Sequence, residues 1–276
     1  MTEKTSSLRH DYLRHDKKFP HVWCPGCGNG IVMGSLIRAI ARLGLQKDEL
    51  VLAAGIGCSG RMPVYVDFNT LHATHGRALT FATGIKLARP ALTVIIVMGD
   101  GDATAIGGNH FIHAARRNLD LTAIIINNQI YGMTGGQYSP TTPYGSFAAT
   151  AAWGHIEHAF PIAELAATAG ASYVARGTVY HAAMLDDLLA GGIARKGFSV
   201  IEVMSNCHTQ YGRRNQMGDA VTMLRYFKEQ AVAVERAAGM SAAEMAGRFT
   251  IGVLADVEKP NFTEEYQKIR NRARQQ

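Results

Sequence analysis

Residues 92–133 decide the fold of this chain, and they read LTVIIVMGDGDATAIGGNHFIHAARRNLDLTAIIINNQIYGM. The stretch opens with an apolar, β-branched run at 92–98, which is too short for a membrane span and typical of a buried strand. Apolar residues then recur at helical spacing over 104–117. A second β-rich run follows at 121–126. The pattern therefore predicts a β-α-β unit.

Polar side chains follow both predicted strands: GDGD stands at 99–102 and NN at 127–128. Open parallel sheets bind ligands at the carboxyl ends of their strands. Asp100 supplies a carboxylate and Asn128 an amide oxygen, which suit Mg²⁺ when phosphate oxygens complete its shell. The glycines let the backbone approach a phosphate closely. We therefore predict a magnesium-bridged diphosphate, with an ordinary crossover ending in turn residues as the alternative.

Length and composition limit the classes of protein. The 276 residues, 47% hydrophobic and 18% charged, fit one large α/β domain with a substantial core. No segment is apolar over the roughly 18–20 residues of a membrane span, and no signal-peptide core opens the chain, so a cytoplasmic protein without membrane contact is expected. The net charge of +6 favours an acidic partner. Because basic residues cluster only in the short tail 268–274, no nucleic-acid partner is expected.

The chain has four cysteines: Cys24, Cys27, Cys58 and Cys207. In a reducing compartment, metal ligation or inert core thiols are expected rather than disulfides. Each cysteine lies in a predicted turn, beside a helix over 31–43 or after a strand at 51–56 or 198–204. Four thiolates suit zinc and an iron–sulfur cluster equally well. A thioredoxin-like redox pair fits poorly, because the chain does not resemble that small fold.

Strand and helix patterns alternate over 21–207, which predicts a mainly parallel sheet with helices on both faces. Residues 1–20 are expected to form an arm, either disordered or packed on a partner subunit. Residues 208–276 are expected to form a helical extension that packs on the same domain or on a partner. The remaining predicted elements are a helix ending near 88, a long loop at 134–150, helices at 161–169, 181–194, 220–238 and 241–248, strands at 173–175 and 250–257, and a terminal helix.

The GDG triplet, followed after 25 residues by Asn127-Asn128, resembles the diphosphate-binding motif of thiamine diphosphate enzymes. Together with the cysteines, the chain resembles the β subunit of 2-oxoacid:ferredoxin oxidoreductases. The matching motifs, in family order, are WCPGCGNG at 23–30, GIGCSGRMP at 55–63, HATHGRA at 72–78, GDGDATAIGGNH at 99–110, NNQIYGMTGGQYSPTTP at 127–143, and Cys207.

The resemblance implies a thiamine diphosphate-binding fold and assigns roles to single residues. It makes Asp100, the Asn128 side chain and the Ile130 carbonyl the Mg²⁺ ligands, and it makes the four cysteines the ligands of one [4Fe-4S] cluster. The implied thiamine diphosphate contacts are Ile56, Gly57, Cys58, Ser59, His75, Gly101, Asp102, Gly132 and Met133.

Two further residues are candidates for a catalytic role. His75 stands beside a glycine and a predicted helix N-terminus, where anions bind readily, although a purely structural histidine is the alternative. Arg61 can pair bidentately with a distal substrate carboxylate. A diphosphate or structural contact is the competing interpretation of Arg61.

The implied reaction is the CoA-dependent, reversible oxidative decarboxylation of a 2-oxo acid, with electrons passing through the cluster to ferredoxin. In this family the glutamate that activates thiamine diphosphate belongs to the α subunit, and no local signature for it occurs here. We therefore expect a heterodimer, or a dimer of heterodimers, with an active site between subunits. The chain also lacks the cysteine run of a two-cluster ferredoxin domain, so an external ferredoxin is expected.

The motif form is most similar to the 2-oxoglutarate branch of the family, while pyruvate and branched-chain 2-oxo acids stay open as substrates. Two rival hypotheses use the same residues differently. One is a non-redox thiamine diphosphate decarboxylase half with structural zinc. The other is a metal-stabilised scaffold subunit. The presence of Asp100, Asn128 and all four cysteines argues against both rivals.

Overall fold

The structure is a computed structural model that describes residue 8, residues 10–16 and residues 20–275. Its strands are β1 Leu50–Ala54, β2 Asn69–His72, β3 Thr93–Gly99, β4 Leu121–Asn127, β5 Tyr173–Thr178, β6 Phe198–Met204, β7 Ala231–Ala233 and β8 Phe249–Asp256. They form one open sheet in the order β2-β1-β3-β4-β6-β5-β8-β7. Neighbouring strands pair in parallel except β5 and β8, which pair antiparallel.

Helices cover both faces of this sheet. They are α1 Asn29–Arg42, α2 Ala78–Ala88, α3 Gly108–Arg117, α4 Ile162–Ala169, α5 Ala182–Ala194, α6 Ala220–Gln230, α7 Val234–Ala237, α8 Ala242–Met245 and α9 Phe262–Ala273. The mainly parallel α/β architecture expected from the alternating pattern is therefore confirmed. It places the ends of the parallel strands, and the loops that follow them, along one edge of the sheet.

Strand β3 shows how the two halves of the core are separated. Side chains alternate across a strand, so Ile95 and Val97 face the layer that contains α1 and α5. Val94, Ile96 and Met98 face the opposite layer, which contains α2, α3 and α4. All five side chains are buried. Burial of each such side chain is worth roughly 1.5–3 kcal/mol, so the strand that carries the GDGD turn is firmly held from both sides.

The predicted β-α-β unit is present, but its helix is divided. A helix was expected over 104–117, whereas the chain forms a π-helical turn at Asp102–Ile106 and begins α3 at Gly108. The break falls at Gly107-Gly108, where two glycines disfavour a continuous α-helix. Such π-helical turns often lie at functional sites, and this one directly follows the GDGD turn.

Two predictions in the C-terminal third are wrong in detail. The helix expected over 220–238 is interrupted by β7, which pairs in parallel with β8, because tertiary pairing overrides the helical pattern there. The helix expected over 241–248 is reduced to α8, which ends before Gly247 with its positive φ of 74°. The C-terminal region thus contributes two strands to the sheet as well as helices, and the strand expected at 250–257 is present as β8.

Strand β2 was missed by the sequence pattern, because it is a short, partly exposed edge strand with mixed polarity. Much of the predicted N-terminal arm, residues 1–7, 9 and 17–19, lies outside the described residues. Within the described part, Leu13 forms an antiparallel bridge to Val66, and Arg14 Nε donates to the Val66 carbonyl at 2.8 Å. Nowhere in the described chain is a helix both long enough and apolar enough to cross a membrane.

Candidate functional site

The two predicted metal ligands lie at the ends of neighbouring strands. Strands β3 and β4 pair in parallel with Gly99 opposite Ile126, so the turns that follow them meet. One atom of the Asn128 amide lies 2.7 Å from the Ile130 carbonyl oxygen and 3.2 Å from Asp100 Oδ1. In the structure this atom is the amide oxygen, so three oxygens converge, which is the donor set that a hard cation such as Mg²⁺ requires. With the amide turned over, the atom would be nitrogen and would donate to both other oxygens.

Asp100 is only 2% exposed, and one of its two carboxylate oxygens is fixed by hydroxyl groups. Ser139 Oγ and Thr141 Oγ1 donate to Asp100 Oδ2 at 2.5 and 2.6 Å. Burial raises the pKa of Asp100, and these two hydroxyls oppose that effect. The arrangement leaves Oδ1 directed at Asn128, where a cation can bind. Ser139 and Thr141 lie in the motif at 127–143, but the sequence alone predicted no role for their hydroxyls.

A buried network holds the Asn127-Asn128 turn. Gln129 has a left-handed φ of 62°, which is uncommon for a residue other than glycine, and its backbone N–H donates to Asn127 Oδ1 at 3.2 Å. Asn127 Nδ2 donates to Glu202 Oε1 at 2.8 Å, and Arg176 Nε donates to Glu202 Oε2 at 2.7 Å. The Arg176 guanidinium also pairs with Glu164. The backbone that presents Asn128 is therefore anchored in β5, β6 and α4.

Around these ligands lies a cavity of about 110 Å³. It is lined by every residue assigned to Mg²⁺ or thiamine diphosphate from the sequence: Ile56, Gly57, Cys58, Ser59, His75, Asp100, Gly101, Asp102, Asn128, Ile130, Gly132 and Met133. Asn29, Tyr131 and Thr134, which had no assigned role, line it as well. Arg61 is not among the lining residues, and its side chain is exposed on the turn Ser59–Val64.

Asp102 and His75 form a pair at this cavity. Asp102 is 2% exposed, and its Oδ1 atom hydrogen-bonds His75 Nδ1 and accepts the Gly76 N–H at 2.7 Å. Burial raises the pKa of Asp102, while the bonds from Gly76 and His75 oppose the shift. A carboxylate on Nδ1 fixes the ring orientation and the tautomer of a histidine. Asp102 therefore orients His75 in the cavity wall.

Gly101 has to be glycine because an aromatic ring covers it. A Cβ at this position would clash with the Tyr131 ring, and Tyr131 Oη donates to the Gly101 carbonyl at 3.1 Å. Burial, followed by the nearby Asp100 and Asp102 carboxylates, raises the pKa of Tyr131 to about 12. Tyr131 is therefore a neutral hydrogen-bond donor that closes the turn over the cavity.

The four cysteines, which come from three separate turns, line a second cavity of about 290 Å³. The Thr209 hydroxyl lies 3.7 Å from Cys24 Sγ and 3.9 Å from Cys207 Sγ. A Cβ on Gly132 would lie 3.3 Å from Cys207 Sγ and 3.7 Å from Cys58 Sγ, so this glycine leaves room for both sulfurs. The fold thus brings together thiols that are up to 183 positions apart in the sequence.

The size of this cavity bears on what the thiols can hold. Tetrahedral zinc, with Zn–S bonds of about 2.3 Å, requires sulfurs only roughly 3.8 Å apart. Among the described residues, no three His, Cys, Asp or Glu side chains lie close enough together to hold one metal ion. The four cysteines instead line a space of about 290 Å³, which is larger than a single zinc ion needs.

The electrostatics of the thiols also favour a positively charged occupant. Burial, followed by the charges of the other three cysteines, raises the pKa of Cys58 to about 12. Burial raises the pKa of Cys27 as well, against hydrogen bonds from Asn29. Thiolates this close together would repel one another, and a cation bound among them would stabilise their ionised form.

The two cavities share a wall. The residues that line both are Asn29, Cys58, Asn128, Gly132 and Met133. Trp23 supports this wall, since its Nε1 donates to the Cys58 carbonyl at 2.6 Å. The cavity at the strand ends therefore directly adjoins the four-cysteine cavity within a single chain.

Comparisons with known proteins identify the family. Residues 55–203 match the family model of the thiamine pyrophosphate enzyme, C-terminal TPP binding domain. The chain is 50% identical over 258 residues to 2-oxoglutarate synthase subunit KorB of Methanocaldococcus jannaschii, covering 94% of this chain and 95% of that protein. It is 40% identical over 187 residues to the β subunit of a 2-oxoacid:ferredoxin oxidoreductase of Aeropyrum pernix, covering 68% and 60%.

A solved structure agrees with these matches. A chain of the 2-oxoglutarate:ferredoxin oxidoreductase from Magnetococcus marinus, with 2-oxoglutarate, coenzyme A and succinyl-CoA bound, superposes with a TM-score of 0.85 at 33% identity, covering 96% of this chain and 90% of that one. The family resemblance predicted from the motifs is thereby confirmed. This chain belongs to the family of β subunits of the 2-oxoacid:ferredoxin oxidoreductases, enzymes that act with a partner subunit.

Proposed function

We propose that this chain is the β subunit of a 2-oxoglutarate:ferredoxin oxidoreductase of the cytoplasm. The reaction is 2-oxoglutarate + CoA + 2 oxidised ferredoxin → succinyl-CoA + CO₂ + H⁺ + 2 reduced ferredoxin. The observation that carries the proposal is the wall shared by the two cavities, because it joins a cofactor site for decarboxylation to a site for electron transfer. The names of the similar proteins supply the choice of substrate.

Mg²⁺ fits the donor set at the strand ends. Asp100 Oδ1, the Asn128 amide oxygen and the Ile130 carbonyl would hold it, and phosphate oxygens would complete the coordination. Ser139 and Thr141 restrain the carboxylate so that it faces the metal. Thiamine diphosphate, when bound, supplies the electron sink for decarboxylation of a 2-oxo acid.

The roles of the other cavity residues follow from their contacts. Gly57 lines the cavity with open space where a Cβ would stand, so its backbone can approach a diphosphate, and Gly101 lines the same cavity beneath the Tyr131 ring. Asp102 keeps His75 oriented through its hydrogen bond to Nδ1. Nε2 is therefore the ring nitrogen available for the cofactor or substrate. We assign His75 a contact with the bound diphosphate or substrate, and Asp102 the task of positioning it.

Cys24, Cys27, Cys58 and Cys207 would hold one [4Fe-4S] cluster. Cys58 borders both cavities, so a cluster held there would be separated from the cofactor cavity by a single wall, across which it would accept electrons. The acceptor beyond it is a ferredoxin. The net charge of +6 supports an acidic electron carrier as partner.

The α subunit completes the site. A cavity of about 110 Å³ is smaller than the roughly 300–1,000 Å³ of sites that enclose a whole cofactor-sized ligand, so another chain has to cover part of the cofactor. Trp153 and Ile156 are 99% and 81% exposed in the loop between β4 and α4. Large apolar side chains exposed to this extent are typical of surfaces that bind a protein partner.

The substrate assignment extends to Arg61 as a prediction. Its exposed side chain, on the turn that begins beside Cys58, is free to meet a distal carboxylate brought in at the subunit interface. Arg61→Met would then raise KM for 2-oxoglutarate more than KM for pyruvate. Equal effects on the two substrates would instead assign Arg61 to the diphosphate or to the fold.

The test is an anaerobic assay of the chain co-expressed with its α subunit. Ferredoxin reduction is measured with CoA and either 2-oxoglutarate, pyruvate or a branched-chain 2-oxo acid. The proposal predicts CoA-dependent reduction that is fastest with 2-oxoglutarate. Faster reduction with pyruvate would keep the family and overturn the substrate. Release of CO₂ without ferredoxin reduction, from a protein that holds zinc and no iron, would support a non-redox decarboxylase instead.

A further inference from the structure

One buried amide in the wall between the two cavities bonds directly to a cysteine sulfur. Asn29 is the first residue of α1, two positions after Cys27, and only 2% of it is exposed. Its Nδ2 donates to Cys27 Sγ at 3.3 Å. The side chain lines both the cofactor cavity and the cysteine cavity. None of the roles assigned above uses it.

Burying the Asn29 amide costs folding free energy, because the described residues leave one of its polar atoms without a hydrogen bond. Among the described residues, Asn29 Oδ1 is buried without a hydrogen-bond partner. A buried polar group costs free energy when its hydrogen bonds are unmade. The amide provides a hydrogen bond to the Cys27 sulfur, which a leucine side chain could not provide.

We propose that Asn29 raises the reduction potential of the cluster through its N–H···S bond to Cys27. This inference rests on the proposed function, in which the four cysteines hold a [4Fe-4S] cluster. Reduction adds negative charge that is shared with the ligand sulfurs, so a donor on sulfur stabilises the reduced form more than the oxidised form. Hydrogen bonds to the sulfurs are among the factors that set cluster potentials.

Two features make Asn29 the strongest tuning residue in the described part of the site. The Asn29 side chain is almost fully buried and its bond to Cys27 is partly shielded from water, so the lower local dielectric strengthens it. The other side-chain donor near a ligand sulfur, the Thr209 hydroxyl, lies at the longer distances of 3.7 and 3.9 Å from Cys24 and Cys207. A smaller effect is therefore expected from Thr209.

The experiment is a redox titration of the anaerobic holoenzyme, co-expressed with its α subunit and followed by electron paramagnetic resonance of the cluster. Asn29→Leu removes the donor at similar volume, and Asn29→Asp replaces it with an acceptor of the same shape. Both variants should lower the midpoint potential of the cluster. For Asn29→Leu, the equilibrium constant for reduction should fall by up to about tenfold, which corresponds to ~59 mV for a one-electron couple. Thr209→Val should lower the midpoint potential less.

Asn206→Ala is the matched control. Asn206 is also a buried asparagine beside the cluster loop, but its Nδ2 donates to the Gly26 carbonyl at 2.9 Å and not to sulfur. The midpoint potential of the cluster in Asn206→Ala should match that of the wild type, even if loss of the bond to Gly26 destabilises the loop and lowers the iron content. An unchanged potential in Asn29→Leu, or an equal shift in Asn206→Ala, would overturn the inference.

Two other outcomes are decisive as well. Loss of the cluster from both Asn29 variants, with Asn206→Ala intact, would assign Asn29 to cluster assembly and overturn the tuning role. A wild-type protein without iron would instead refute the proposed function, so the two failures are distinguishable.

Discussion

Arg176→Met is expected to cost the chain about 3–5 kcal/mol of unfolding free energy, because it leaves a buried carboxylate unpaired. The Arg176 and Glu202 side chains are 9% and 4% exposed, and they are joined at 2.7 Å. Without the guanidinium, Glu202 keeps only the Asn127 amide as a bond partner from this network. At roughly 2–4 °C per kcal/mol for a chain of this size, the melting temperature should fall by about 6–20 °C.

Calorimetry of the full chain measures this effect, and Glu164→Gln is the matched control. Glu164 bonds the same guanidinium, but its side chain is 54% exposed, so its loss should cost no more than about 1 kcal/mol. The double variant Arg176→Met/Glu202→Leu should recover much of the stability, since no buried charge is left unpaired. A stability of Arg176→Met within 1 kcal/mol of the wild type would refute the reasoning.

Three further predictions concern the metal site and the same network. Asp100→Asn should abolish Mg²⁺-dependent binding of thiamine diphosphate while the iron content stays unchanged; calorimetric titration showing wild-type affinity would refute the metal assignment. Ser139→Ala and Thr141→Val should each weaken that affinity by about 10–100-fold, because they release the carboxylate that the hydroxyls hold. Thr80→Val is the control, because Thr80 is exposed and does not line the cavity. Burial raises the pKa of Glu164, but Arg176 more than offsets this, so the folded pKa lies below the ordinary value of about 4.3. The stability difference between wild type and Glu164→Gln should therefore be present above that pH and disappear as the pH falls through the folded pKa; a difference that grows on acidification would contradict it.

The sequence predicted those parts of the fold that local pattern determines. The runs before GDGD and before Asn127-Asn128 became β3 and β4 with ends within one residue of expectation, because long apolar β-branched runs have few alternatives in an α/β chain. The cavity gathers every residue assigned to Mg²⁺ and thiamine diphosphate, because parallel strands deliver their carboxyl ends to one edge.

Features that depend on distant partners were not predictable in this way. Strand β7 carries a helical pattern, and only its pairing with β8 makes it extended. The Glu202 contact that holds Asn127 spans 75 positions, and no spacing rule reveals it. Asn29 stood inside the recognised cysteine motif, but its bond to Cys27 follows from the conformation of the turn and the start of α1, which composition does not specify.

The central claim, that the cofactor site and the cluster exchange electrons across their shared wall, has one most direct test. The anaerobic complex with the α subunit is mixed with 2-oxoglutarate and CoA, frozen, and examined by electron paramagnetic resonance. The account predicts the signal of a reduced [4Fe-4S] cluster, and its absence from Asp100→Asn, which keeps the cluster but not the cofactor. A wild-type cluster that stays oxidised with every 2-oxo acid, while dithionite reduces it, would contradict the account.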